Sequence, residues 1–333
     1  AYTIVNISYA KHKRGLMDSS LDSLSAHITE HTLLPPAIQA WKIYLHDQGR
    51  TNNTLKAFSA DLSLLADFLP PDKPLGQIST KDLEDFLDWL QNDRNVPCSP
   101  KTLSRRITSI KSFFRWLTVN GVLSHNPAEK IVQKTVVSPL PEVLTAAEQE
   151  KVLDAAEAMR TAANPDLRPY VLLRLLLETG LKKGECLHLM TNHVELEGPE
   201  APRIFVRYSS PRYRYKERNI PVSSEWAEAY REYIQRYDIK NQVFPWSQRR
   251  LEYLLEDVGN AAGLDKHLSF DMCRWTSALN DLTAGIDTDK IRQKLGISKI
   301  QWREVYAKLH SLAKELGYKP SSTSPAEVLD ELN

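Results

Sequence analysis

Helical periodicity runs through most of this chain and is interrupted by one short stretch that reads as strand. Between Pro36 and Ile131, apolar residues recur three and four apart in four separate runs, the spacing of helices that bury one face. Ala37–Gln48 carries Ile38, Trp41, Ile43 and Tyr44. Asn53–Phe68 carries Leu55, Phe58, Leu62, Leu65 and Phe68, with Asn53 or Asn52 as its expected N-cap. Thr80–Gln91 is expected to start at Thr80 as cap and aligns Leu83, Phe86, Leu87 and Leu90. Ser99–Asn120 opens with Ser-Pro, a cap followed by proline at the first helical position, and carries Leu103, Ile107, Ile110, Phe113, Phe114 and Leu117 before Gly121. Four amphipathic helices with short polar connections predict a small helical bundle.

Residues 1–34 are polar and weakly patterned, and read as an arm with one helix near Ser20–Thr32. Residues 133–143 hold Pro139 and Pro141 and no helical period, which predicts an extended linker. A second domain is expected over 144–318. There Thr145–Arg160 opens with a capping box of Thr145 and Glu148, Tyr170–Thr179 is almost wholly apolar and therefore buried, and Lys182–Met190 follows the Gly180 break. Ile204–Tyr208 and Arg212–Val222 read as a hairpin around Ser209-Ser210-Pro211. Helices are expected at Ser224–Tyr237, Ser247–Ala262, Phe270–Ala284, Thr288–Leu295 and Lys299–Leu316, with a last one at Pro325–Leu332 in a tail spanning 319–333. The fold class is therefore mainly α: an N-terminal helical domain over 35–132 and a C-terminal α+β domain with a small antiparallel sheet.

Charge narrows the function. Lys and Arg number 43 against 42 Asp and Glu, a net charge of +1, which excludes a polycation and an acidic disordered tail. Any nucleic-acid role must come from local clustering. Three cysteines, Cys98, Cys186 and Cys273, argue against a disulfide framework and a zinc site and fit a reducing cytosol. No apolar run approaches the roughly 18 residues of a membrane span, and no signal-peptide pattern is present. A cytoplasmic protein is expected, nucleoid-associated if prokaryotic. His188 and His193 lack a matching carboxylate pattern, Gly180 and Gly184 make no phosphate loop, and no serine elbow occurs. No metal and no cofactor are expected.

The positive charge gathers in two places. Arg203, Arg207, Arg212, Arg214, Lys216 and Arg218 fall in the hairpin, opposed only by Glu217. On a strand, Arg212, Arg214, Lys216 and Arg218 share one face, and Tyr213 and Tyr215 the other, an arrangement suited to phosphate contact along a duplex groove. A solvated edge strand protected by charge is the plainer alternative. The fourth helix carries Lys101, Arg105, Arg106, Lys111 and Arg115, suited to a duplex backbone or simply to a solvated face. Cations on two domains joined by a strap suggest a clamp around double-stranded DNA.

The boxes of the second domain resemble those of the tyrosine recombinases, the phage integrase and Xer-type group. Glu178-Thr179-Gly180-Leu181-Lys182-Lys183-Gly184-Glu185 resembles their Thr-Gly-Leu-Arg-x-x-Glu box, and Lys216-Glu217-Arg218-Asn219-Ile220-Pro221-Val222 their Lys-Glu-Arg-x-x-Pro strand. Phe270-Asp271-Met272-Cys273-Arg274-Trp275-Thr276 resembles His-x-x-Arg-His-Thr, and Leu295-Gly296-Ile297 resembles Leu-Gly-His. Ile297 and Tyr306 stand 23 and 32 residues after Arg274, as in the family. Asn53–Leu62 and Ser104–Phe114 resemble the helical core-binding (SAM-like) domain. The resemblance covers about residues 36–316 and rests on order and spacing rather than on any one box.

It implies a covalent reaction in which a tyrosine attacks a DNA phosphate and a 5′-hydroxyl later reverses the link. Two arginines hold the phosphate oxygens, a hairpin lysine protonates the leaving oxygen, and histidines move or position protons. Carried over residue by residue, Tyr306 is the nucleophile, Arg274 and Lys182 hold phosphate, Lys216 is the acid and Glu185 supports them. Thr54, Lys56, Lys101, Arg105, Arg106, Lys111, Arg207, Arg212, Arg214 and Arg218 are the expected DNA contacts. The chain departs from the pattern at several positions. Lys182 keeps charge without the arginine fork. Asp271 stands at the first histidine position and Ile297 at the later histidine or tryptophan position; register puts Tyr213 at the hairpin-lysine site, with Lys216 or Arg214 as substitutes if the turn shifts. The expectation is a DNA-binding protein of this fold whose strand cleavage and rejoining is impaired. An active divergent recombinase and a helical protein-interaction scaffold are the alternatives. A homo-oligomer, or a complex with a related recombinase, is expected to form through the C-terminal helix.

Overall fold

The computed structural model describes residues 28–133, 139–198 and 201–318. The expected tail helix, the middle of the linker and most of the expected arm helix lie outside them. Residues 28–33 are not helical: 30–32 form turn and bend, and Leu33 bridges Pro74. The chain divides into two compact units, Ala1–Ser138 and Pro139–Asn333.

The first unit is built from α1 (Leu34–Asp47), α2 (Asn52–Phe68), α3 (Thr80–Asn92) and α4 (Pro100–Val119). Their apolar stripes meet in one core in which Trp41, Leu62, Leu65, Phe86, Phe113 and Phe114 are fully buried. Trp41 stacks on Phe58 at 5.8 Å and meets the edge of Phe113 at 5.4 Å, the two geometries that ring quadrupoles favour.

Two caps differ from expectation by one residue. Helix α2 is capped by Thr51, whose hydroxyl accepts from the Thr54 amide; Asn52 and Asn53 are already helical. Helix α3 is capped by Ser79 in a reciprocal box with Asp82. Thr80 turns its hydroxyl away, donating to the Pro127 carbonyl at 2.8 Å. A cap needs extended backbone and an acceptor three residues before a free amide. Where two polar residues adjoin, that geometry selects between them.

In the second unit, α5 (Ala146–Thr161) and α6 (Arg168–Thr179) pack together, with α6 buried along most of its length. The short α7 (Lys183–Leu187) follows a left-handed Gly180, φ 60°. Strands β1 (Val194–Glu195), β2 (Arg203–Val206) and β3 (Arg218–Pro221) form one antiparallel sheet in that order, with Ile204 opposite Ile220 and Val206 opposite Arg218. Helices α8 (Ser224–Arg236), α9 (Gln248–Ala261), α10 (Phe270–Thr283), α11 (Thr288–Leu295) and α12 (Lys299–Glu315) complete it. A main core centres on α6. A separate apolar cluster joins α10, α11 and α12. The architecture is the expected one, mainly helical with one small antiparallel sheet.

The hairpin is the main correction. Of Arg212–Val222, only Arg218–Pro221 is strand; Pro211–Lys216 coils into 3-10 turns. Strand β2 ends at Val206, so residues 212–216 have no backbone partner in the sheet. The Tyr213 amide donates back to the Ser210 carbonyl at 3.0 Å, and the Lys216 ammonium lies over the rings of Tyr213 and Tyr215 at 5.0 and 5.3 Å. Arg212, Arg214, Lys216 and Arg218 therefore do not line one strand face. The helix expected over Lys182–Met190 is likewise confined to α7, with a 3-10 turn at Thr191–His193 and the unanticipated β1 after it.

Candidate active site

The loop after α6, the first turn of α7, strand β3, the start of α10 and the end of α11 converge on a buried carboxylate. Glu185 leaves only 3% of its side chain exposed. Arg218 grips it with both terminal nitrogens, Nη1 donating to Oε1 at 3.0 Å and Nη2 to Oε2 at 2.9 Å. The Tyr208 hydroxyl donates to Oε1, and the Lys182 amide to Oε2 at 2.9 Å. Burial alone raises the pKa of this carboxyl. The Arg218 hydrogen bonds and charge, joined by the Tyr208 and Lys182 donors, outweigh it and hold the group at about 2. Burial and then Glu185 push the Tyr208 hydroxyl above its ordinary range.

Around this pair stand cations tied to backbone carbonyls. Arg274 donates to the carbonyls of Gly180 and, at 2.6 Å, Leu295. Lys182 Nζ donates to the Gly296 carbonyl at 3.2 Å. Burial lowers Arg274 to about 10, with Glu185 opposing and Arg218 assisting. Burial also lowers Lys182 to about 8; Glu185 opposes, while Arg274, Lys216 and Arg218 push further down. Both side chains line a cleft of about 670 Å³, which Lys183, Arg249 and Tyr253 also border together with the acids Glu252, Glu256 and Asp271; Glu252 pairs with Lys183 at 2.7 Å. Clustered, partly desolvated cations create a strong local preference for an anion with several oxygens.

Gly296 lets this cluster form. Its φ is +58°, and a Cβ there would lie 2.5 Å from Arg218 Nη1. Gly296→Ala is expected to lower stability by more than the left-handed penalty of about 1–2 kcal/mol. Gly263→Ala, at φ +65° with open space around the added carbon, isolates that backbone part. Thermal unfolding of the two variants measures the difference, and equal losses would contradict the close packing of Arg218.

Tyr306 is not among the residues that line the cleft. It is 3% exposed on α12, packed with Trp302 at 5.6 Å and His310 at 6.3 Å in the α10–α12 cluster. Burial raises its pKa. Asp271 is exposed in the first turn of α10, two residues after the Ser269 cap, where a helix N-terminus favours an anion. Ile297 packs against the α10–α12 cluster.

Residues 142–312 match the model of the phage integrase family, and residues 38–121 match that of the phage integrase N-terminal SAM-like domain. The chain belongs to the phage integrase family. Among relatives in that family, tyrosine recombinase XerD of Listeria innocua is 25% identical over 287 residues, spanning 82% of this chain and 93% of its own. Tyrosine recombinase XerC of Roseiflexus castenholzii is 27% identical over 315 residues, spanning 89% and 95%. In fold, the chain is similar to a lambda integrase dimer bound to a COC′ core site, with TM-score 0.65, 16% identity and coverage of 91% and 82%. It is also similar to XerH recombinase bound to palindromic difH substrate, with TM-score 0.65, 17% identity and coverage of 89% and 92%.

In this integrase-family chain, the expected residues separate into groups. Lys182, Glu185 and Arg274 come together, and Lys216 is close enough for its charge to depress Lys182. Arg218, expected at DNA, turns inward instead. Its side chain is 8% exposed, and it also donates to the Lys294 carbonyl at 2.6 Å and the Lys216 carbonyl at 3.1 Å. Arg207, Arg212 and Arg214 remain exposed, Arg207 over the Phe205 ring at 5.6 Å. In the first unit, Lys56 and Lys101 are exposed, Lys111 is half-buried, and the Thr54 hydroxyl pairs with Thr51 at 3.0 Å. Arg105 and Arg106 both reach Asp61. Tyr208, Lys183, Arg249 and Asp61 were not anticipated. Asp61 had one legible signal, an acid set into the apolar stripe of α2. No helix among the described residues is long and apolar enough to cross a membrane, and no cluster of metal-type side chains occurs among them.

Proposed function

We propose that this chain binds duplex DNA through phosphate contacts from basic surfaces on both units, and that its strand cleavage and rejoining is impaired. One observation carries the reading: the cations Lys182 and Arg274 line one cleft, while the tyrosine at the nucleophile position is 3% exposed in an apolar cluster. The cations suit a non-bridging phosphate oxygen. The groups that would complete the chemistry are replaced by Asp271, Ile297 and Tyr213. An anion at 271 repels the phosphate, and isoleucine donates nothing. Loss of one charge-stabilising donor typically costs about 2.7–4 kcal/mol of transition-state stabilisation. The relatives' names favour a second reading, an active divergent recombinase with Tyr306 as nucleophile and Lys216 as acid. Loss of activity in Tyr306→Phe is its signature.

Solved relatives on DNA include a lambda integrase dimer and a lambda integrase tetramer on a Holliday junction. By the same reading, this chain acts as a homo-oligomer or with a related recombinase on cytoplasmic, nucleoid DNA. Gel shifts across a salt series test the DNA contact. If about six or more phosphates are neutralised, affinity falls by roughly 10³ or more between about 50 and 200 mM salt. A flat salt response would leave the protein-interaction scaffold as the better reading.

A further inference from the structure

The first unit buries one carboxylate among cations. Asp61 lies on the inward stripe of α2 and is 3% exposed. Three side chains from two successive turns of α4 converge on it. Arg105 Nη1 donates to Oδ2, Ser109 Oγ donates to the same oxygen at 2.7 Å, and Arg106 Nε lies 3.5 Å from Oδ1. Arg105 Nη1 also reaches the Ala57 carbonyl at 3.3 Å. Burial raises the Asp61 pKa, with the Ser109 hydrogen bond and the two guanidinium charges opposing. The two arginines differ in access: the Arg105 side chain is 39% exposed and that of Arg106 12%.

A buried ion cluster is a weak source of stability, since apolar side chains of similar volume do as well or better. Its distinct effect is orientation. An arginine free in solvent loses about 0.5–1.5 kcal/mol of rotamer freedom when it grips a ligand. Arg105 has lost that freedom already, with Nη1 fixed by Asp61 and Ala57 while 39% of the side chain stays exposed. We propose that Asp61 is a positioning residue for DNA binding, holding Arg105 so that its exposed edge meets a backbone phosphate, with Arg106 as the second, deeper support. This rests on the DNA-binding reading above and assigns the contact to a particular side chain.

The sign of one substitution separates positioning from plain electrostatics. Removing a negative charge from a DNA-binding surface strengthens binding if charge alone matters. Positioning requires the opposite. The full chain is titrated with a fluorescent mixed-sequence duplex at fixed salt. Asp61→Asn, which keeps the shape, is expected to weaken binding about tenfold, the scale of one charge-assisted hydrogen bond. In an Arg105→Ala background the same change is expected to have no further effect, because the coupled pair is already broken. Arg105→Lys keeps the charge but loses the fork, and is also expected to weaken binding several-fold. It decides the matter if thermal unfolding finds Asp61→Asn unfolded. Wild-type or tighter binding by folded Asp61→Asn, or wild-type binding by Arg105→Lys, overturns the proposal. Failure of the wild-type chain to bind the duplex overturns the DNA-binding reading itself.

Discussion

Installing arginine at 182, histidine at 271 and 297, and lysine at 213 together is expected to raise covalent protein–DNA adduct formation by at least about 10²–10³. On the proposed reading, each change supplies a group that the family's chemistry uses and this chain replaces. Lys182→Arg supplies two parallel donors for the phosphate oxygens where the ammonium offers a point charge. Asp271→His removes an anion from the border of the cleft and adds a donor. Ile297→His adds a second, and Tyr213→Lys restores a proton source for the leaving oxygen. The gains do not sum, because such groups act as one unit. Tyr306→Phe in the repaired chain is expected to abolish the adduct. A repaired chain that gains nothing would move the block from the replaced residues to the burial of Tyr306 in its apolar cluster.

Glu185→Gln is expected to cost about 3–5 kcal/mol of stability, the usual result of removing one partner from a buried pair. The amide keeps one acceptor oxygen, so it can accept from the Tyr208 hydroxyl or from the Lys182 amide but not from both, which donate to different oxygens of the carboxylate, and Arg218 is left charged and 8% exposed with no counter-ion. Glu185→Gln with Arg218→Met is expected to lose less than either change alone. Chemical denaturation of the three variants measures this, and a neutral Glu185→Gln would contradict the buried-pair assignment. The pH dependence follows with a definite sign. The folded pKa of Glu185, about 2, lies below its ordinary 4.5, so its contribution is present above about 4.5 and lost as pH falls towards 2. Lys182 affects binding instead. At about 8 in the fold, it sheds its charge above that pH, and phosphate affinity is expected to weaken there. Glu185 is the largest influence keeping Lys182 protonated, so Glu185→Gln moves that loss to lower pH.

Local chemistry made much of this molecule readable in its sequence. The three-and-four spacing marked the four helices of the first unit. The Ser99-Pro100 and Thr145/Glu148 starts coincide with the observed ends of α4 and α5, because those signals are complete within four residues. The order of the boxes grouped Lys182, Glu185 and Arg274. Long-range partners decided what was not legible. Residues 211–216 alternate like a strand, yet β2 stops at Val206 and leaves them without a ladder to join. Cation–ring contacts and 3-10 turns then prevail. Arg218 reads as one more surface cation until Glu185, 33 residues earlier in the chain, claims its guanidinium. Asp61 meets Arg105 across 44 residues, and Tyr208 meets Glu185 across 23. No periodicity encodes such pairs.

Covalent trapping tests the central claim most directly. The wild-type chain is incubated with a nicked suicide duplex, and one sample is divided between a native gel and a denaturing gel. Retarded DNA in the native gel and no denaturant-stable adduct are expected, with Tyr306→Phe indistinguishable from wild type in both. An adduct that accumulates in the wild-type lane, maps to Tyr306 and disappears in Tyr306→Phe would contradict the claim.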